Sequence, residues 1–124
     1  MITYYTKEGK FEAIGYFEIS YKNLHREDGP AVIWDNGDKE WYKEGKLHRV
    51  KGPAIKRKNY SKEWYVNGKR HRLDGPAYIM NNGYTIWYVN GEKLSAKEVK
   101  TWIIQNNINL KTKEHQTLFM LRFG

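Results

Sequence analysis

Three histidines, His25, His48 and His71, recur 23 residues apart, and each is followed by an arginine: Arg26, Arg49 and Arg72. A column of imidazoles suggests metal coordination. A column of His-Arg pairs suggests contact with phosphate or carboxylate, for which guanidinium supplies a planar fork of donors. Spacing argues against the metal. Equivalent positions in successive hairpins lie two strand spacings apart, roughly 10 Å, whereas all ligands of one zinc ion approach it to about 2.0–2.1 Å. One column cannot hold one ion, so no metal site and no cofactor is expected. Two readings of the column remain. The imidazoles hydrogen-bond turn carbonyls or pack against Trp rings, or the pairs form a ladder along one edge that contacts anions.

Catalysis has little support. The chain contains no cysteine, and Ser20, Ser61 and Ser95 stand in no nucleophile-elbow context. Glu40 and Glu63 share a column that Ile86 occupies in the third copy, and such a carboxylate beside lysine reads as a cross-strand ion pair. Glycines occur singly at turns, so no phosphate-cradling loop is present. The sequence predicts a protein that is not an enzyme.

The elements that would carry the His-Arg pairs repeat with them. Gly29-Pro30-Ala31, Gly52-Pro53-Ala54 and Gly75-Pro76-Ala77 keep the same period, as do Trp41-Tyr42, Trp64-Tyr65 and Trp87-Tyr88. A fixed period of this length marks a repeat architecture in which neighbouring units bury each other's apolar faces. Each unit reads as two short strands. Ala31–Trp34 leads to an Asn36-Gly37 turn, Lys39–Lys43 returns, and Gly45 marks the next turn. In the second copy Asn59 is the residue expected in the left-handed region. Connections this short exclude parallel crossovers, so the fold class is mainly β: an antiparallel meander of about three hairpin repeats. Trp41, Trp64 and Trp87 are expected to stack as one ladder, with the tyrosines on the opposite face and the alanines making room for the rings.

The whole chain of 124 residues is expected to form one domain in three parts. Residues 1–23 form a capping hairpin, with Phe17–Tyr21 standing where the Trp-Tyr strand of an earlier copy would fall. Residues 24–94 form the repeats, and 95–124 a two-helix cap. Ser95 and Glu98 have capping-box spacing, and Val99, Trp102 and Ile103 make an apolar stripe. A second helix is expected from near Thr112, burying Leu118, Phe119 and Leu121.

The formal charge is +8, from 22 Lys and Arg against 14 Asp and Glu. Its placement says more than its size. Between His48 and Arg72, nine cations (Arg49, Lys51, Lys56, Arg57, Lys58, Lys62, Lys69, Arg70 and Arg72) are opposed by Glu63 alone. The central copy thus carries the excess of the entire chain. Such a balance either keeps a small protein soluble or attracts polyanions and acidic protein surfaces. No run approaches the ~18 apolar residues that would span a bilayer, and no apolar leader opens the chain. A cytoplasmic location without a membrane partner is expected.

The unit His-Arg-x-Asp-Gly-Pro-Ala, then Asn-Gly, then Trp-Tyr-x-Asn-Gly-Lys resembles the variant MORN-type repeats common in phage and large-virus proteins. Similar units occur in bacterial antitoxin-like proteins. The likeness covers about residues 24–94 and departs from the pattern in the second copy, where Lys51 replaces Asp and Tyr60 replaces the turn Gly. It implies a hairpin-repeat sheet with a binding or scaffolding role and no catalysis to carry over. The reading is a small binding protein, of the kind a phage directs at a host or defence protein in the host cytoplasm. Its expected partner is an acidic protein surface. Lys51, Lys56, Arg57, Lys58, Lys69 and Arg70 would supply charge, and Arg49 and Arg72 geometry. Direct nucleic-acid binding is the alternative, and an antitoxin-like structural module a third. Self-association through a sheet edge or the C-terminal helices stays open.

Overall fold

A computed structural model describes all 124 residues. The leading hairpin joins β1 (Ile2–Thr6) and β2 (Gly9–Ala13). The first unit supplies β3 (Val32–Ile33), β4 (Lys39–Glu40), β5 (Tyr42–Lys43) and β6 (Lys46–Leu47). The second supplies β7 (Ile55–Lys56), β8 (Lys62–Glu63), β9 (Tyr65–Val66) and β10 (Lys69–Arg70). The third supplies β11 (Tyr78–Ile79), β12 (Thr85–Val89) and β13 (Glu92–Leu94), followed by α1 (Ala96–Gln105) and α2 (Lys113–Phe123). A nine-stranded antiparallel sheet runs in the order β13-β12-β11-β8-β7-β4-β3-β1-β2, with two small sheets, β5-β6 and β9-β10, beside it. The expected meander is present. No helix is long and apolar enough to cross a membrane.

The expected return strand Lys39–Lys43 divides at Trp41. That residue keeps its ladder bond to the Ala54 carbonyl (2.7 Å) and receives the His48 amide on its own carbonyl (3.0 Å). The chain therefore leaves the large sheet there and starts a second ribbon. This ribbon links units through Arg49 N to Tyr65 O (3.1 Å) and Gly68 N to Leu47 O (2.8 Å).

Two kinds of turn close each unit. Glu44-Gly45, Asn67-Gly68 and Asn90-Gly91 all have positive φ at both residues, the signature of two-residue type I′ hairpins. The other turn is a three-residue loop with only its last residue left-handed: Gly37 (φ 96°), Tyr60 (φ 74°) and Gly83 (φ 88°). Tyr60, not Asn59, thus occupies the strained position. Asn59 Oδ1 instead accepts from the Ser61 amide and hydroxyl, at 3.0 and 2.7 Å.

The apolar core is split between the two ends. Ile2, Ala13, Ile19, Leu24, Ala31, Val32 and Tyr42 form one cluster, and Trp87, Val89, Val99, Leu110 and Phe119 the other. Phe17–Tyr21 is not a strand. Tyr16–Glu18 and Tyr21–Asn23 are short 3-10 helices, and of the segment only Ile19 is buried. Ser95 caps α1 as expected, its side chain accepting from the Glu98 amide at 3.2 Å. Thr112 does the same for α2 through His115 N. On α2 only Phe119 is buried, with Met120 and Phe123 packed beside it; Leu118 and Leu121 are exposed.

A bulky residue in the left-handed region is strained by about 1–2 kcal/mol, and Tyr60 is 81% exposed, so its ring adds little packing. Tyr60→Gly is expected to raise stability by about 0.5–1 kcal/mol, after the extra chain entropy that glycine loses on folding. Urea denaturation of the two proteins measures this.

Candidate functional site

The histidine column serves the turns, but with the opposite polarity to that expected. Each Nδ1 accepts, at 2.9 Å, the amide of the left-handed turn residue of its own unit: Glu44 to His25, Asn67 to His48 and Asn90 to His71. The bond gives this turn amide an acceptor within the protein and ties each turn to the His-Arg loop of its own unit. Burial lowers the pKa of His48, assisted by the charge of Lys43, and burial alone lowers that of His71. No group of three or more His, Asp or Glu residues is placed to hold a metal ion.

The arginine column joins the units. Arg26, Arg49 and Arg72 lay their guanidinium carbons 3.8, 3.9 and 3.8 Å from the ring centroids of Tyr5, Trp41 and Trp64. Each also donates from Nη1 to the proline carbonyl four residues on, at 3.0, 3.1 and 3.0 Å. The tryptophans therefore do not stack on one another. Each of the first two carries the arginine of the next unit, and Trp87, where no further unit follows, packs edge-on against Phe119 at 5.9 Å. Arg26 and Arg72 spend their remaining edge on an aspartate two residues ahead, through Nε to Asp28 (3.0 Å) and Asp74 (2.7 Å). Lys51 stands there in the central unit, so Arg49 has no carboxylate partner, and burial lowers its pKa.

The other cations of the central unit divide between the two faces of the sheet. Register aligns Lys39 with Lys56 and Lys56 with Lys62, so three lysines stand side by side on one face with Cβ atoms about 4.5–5.5 Å apart. None of them takes part in an ion pair within 4 Å. Strand alternation puts Trp41, and hence Arg49, on this same face. The neighbouring row, Glu40–Ile55–Glu63, faces the other way. There Glu63, 2% exposed, receives Arg57, Arg70 and the Tyr65 hydroxyl. Burial alone would raise its pKa, but the bonds and charges of Arg57 and Arg70 outweigh that and hold it below its ordinary value.

The eight cations expected to form one patch therefore do not. Arg57 and Arg70 both engage Glu63 on the far face, while Arg72 is taken by Asp74. Arg49, Lys51 and Lys56 keep to the tryptophan face, with Lys58 on the adjoining turn and Lys69 on the small ribbon. Lys62 was counted in the basic block but not among the expected contact residues, and Lys39 was in neither, although their 23-residue spacing and place before Glu40 and Glu63 could have revealed them. Two open grooves, of about 480 and 570 Å³, flank the Arg49–Lys51 loop, which lines both. No family model, curated protein or solved structure matches the chain.

Glu63→Gln leaves two guanidiniums without their carboxylate. The expected cost is about 2 kcal/mol, below that of a fully buried pair because both arginines reach solvent; denaturant unfolding reads it. The lowered pKa values of His48 and His71 mean that the unfolded chain takes up protons on these rings before the folded one does. Their stabilisation is complete above about pH 6.5 and is lost as pH falls below it. Melting temperature should therefore drop between about pH 7.5 and 5.5, and the His48→Asn, His71→Asn variant should show a shallower drop.

Proposed function

We propose that this chain is a non-enzymatic binding protein whose central repeat docks an acidic surface of a partner protein. The observation that carries this reading is the Lys39–Lys56–Lys62 row. Like charges directly opposite one another on a sheet destabilise it, and here no carboxylate relieves them. The flanking units pair their loop arginines internally, Arg26 with Asp28 and Arg72 with Asp74, whereas Arg49 has no such partner. An acidic partner surface would relieve the central row and exchange intramolecular repulsion for intermolecular attraction. The resemblance of the repeat unit to those of phage proteins supports a phage-encoded protein aimed at a host or defence component.

A second reading, contact with single-stranded nucleic acid, draws on Tyr60. This exposed ring is held in a strained backbone conformation beside Lys58, as a stacking platform would be. Salt separates the two readings, since a phosphate binder loses affinity steeply and linearly in log–log form as salt rises.

Lys56→Glu tests the leading reading. Placing a carboxylate between Lys39 and Lys62 should stabilise the fold by about 0.2–1 kcal/mol through cross-strand pairing. It should also weaken binding of fluorescein-labelled poly-L-glutamate, measured by anisotropy. Unchanged affinity would remove the proposal. Binding of an oligothymidylate with a steep salt slope, without binding of poly-L-glutamate, would favour the second reading.

A further inference from the structure

We infer that Arg49 and Lys51 form a vacant carboxylate-binding position, to be filled by an aspartate or glutamate side chain of the partner protein. The inference rests on the reading of the central repeat as a docking surface for an acidic protein, and it identifies the chemical group that the surface takes. The flanking units supply the template. In all three the guanidinium sits over the preceding ring at the same height and gives Nη1 to its proline carbonyl at 3.0–3.1 Å. Its position against the loop glycine also repeats, since a Cβ built on Gly29, Gly52 or Gly75 would lie 2.9, 3.1 and 2.9 Å from the guanidinium carbon.

With the pose fixed in this way, Nε of Arg49 is directed where Asp28 and Asp74 place a carboxylate oxygen in their own units. In the central unit that oxygen must come from outside. Lys51 does more than omit the acid: at the position where the flanking units hold a carboxylate it adds a second cation on an exposed residue. Gly52 takes φ +132°, outside the range open to most side chains, while Gly29 and Gly75 do not, so the loop that lacks the Asp–Arg tie also follows a different course. The carboxylates nearest in the fold are already engaged. Asp28 and Asp74 belong to their own arginines, and Glu27 lies 2.8 Å from His25. The grooves on either side of the loop leave Arg49 open to an incoming side chain. Arg26 and Arg72 line the same grooves, but their Nε atoms already donate to Asp28 and Asp74, so the chain contains its own controls.

Two measurements on the intact protein test this. In nitrogen-15 spectra, the Nε–H resonance of Arg49 should move on titration with acetate, while those of Arg26 and Arg72 stay in place. Lys51→Asp should abolish the response by supplying the missing carboxylate from within. A silent Arg49, or one that answers inorganic phosphate instead of acetate, would overturn the inference. The second measurement pairs stability with binding. Lys51→Asp should raise the melting temperature and weaken poly-L-glutamate binding about tenfold, the worth of one charge-assisted contact. Lys100→Asp, the same change of charge on the exposed face of α1 beyond its first turn, should do neither. Should the two variants bind alike while Lys56→Glu still weakens binding, the carboxylate position fails and the docking surface stands. Should Lys56→Glu also leave binding unchanged, the docking surface fails, and the Arg49 resonance alone decides whether the position binds carboxylate.

Discussion

Beyond the ladder bonds of the sheet, successive units of this protein meet through the side chain of one arginine. The guanidinium face covers the aromatic ring of the preceding unit, and its edge donates to the proline carbonyl of its own loop. A planar, delocalised cation can do both at once; an ammonium cannot, because it has neither a face to stack nor a fork of fixed donors. Much of the repeat's invariance follows from this contact. The loop glycine is small because a Cβ on Gly75 would lie 2.9 Å from the guanidinium carbon. The proline offers a carbonyl whose position the ring helps to fix. The histidine beside the arginine anchors the type I′ turn, holding the second ribbon against the first. The ends of the molecule complete the same series. Tyr5 of the leading hairpin provides the ring for Arg26, and Phe119 of α2 covers Trp87, which no arginine follows.

This arrangement leaves the middle of the molecule without an apolar cluster of its own. The two hydrophobic clusters belong to the hairpin end and the helical end, and the central unit is organised around buried Glu63 with its arginines and Tyr65. A buried carboxylate so paired specifies which side chains meet, and it removes Arg57 and Arg70 from the pool of available cations. What remains on the tryptophan face is the lysine row and the unpaired Arg49. On the proposed reading, stability and recognition fall on opposite faces of one short stretch of sheet.

The repeat period and its turn residues made the meander and the capped helix legible in the sequence, because each depends on local backbone chemistry; the tight hairpin turn expected at Asn36-Gly37 is instead a three-residue loop in which only Gly37 is left-handed. Glycine after Asn67 and Asn90 and serine before α1 act within a few residues of themselves. What was not legible depends on register and on partners distant in the chain. The expectation that three Trp rings stack on one another failed because arginine competes for the same ring face. Leu118 and Leu121 were expected to be buried with Phe119, but the surface available to α2 is set by where Trp87 sits. Counting cations along the chain gave one basic block, whereas strand alternation sends Arg57 and Arg70 to the far side of the sheet from Lys56. Tyr60 was missed as the left-handed residue because asparagine usually takes that position, and here Asn59 was already committed to Ser61.

The stacked arginine is the element on which both the fold and the vacant position at Arg49 depend, so its coupling to the ring beneath it is the quantity to measure. A double-mutant cycle on Arg72 and Trp64, using Arg72→Met and Trp64→Leu, isolates that term from the proline and aspartate contacts. The structure predicts a coupling of about 1 kcal/mol or more in favour of the native pair, as expected for a partly desolvated cation on an indole face. Additive effects of the two substitutions would show that the ring and the guanidinium stabilise the protein independently, and would contradict the account.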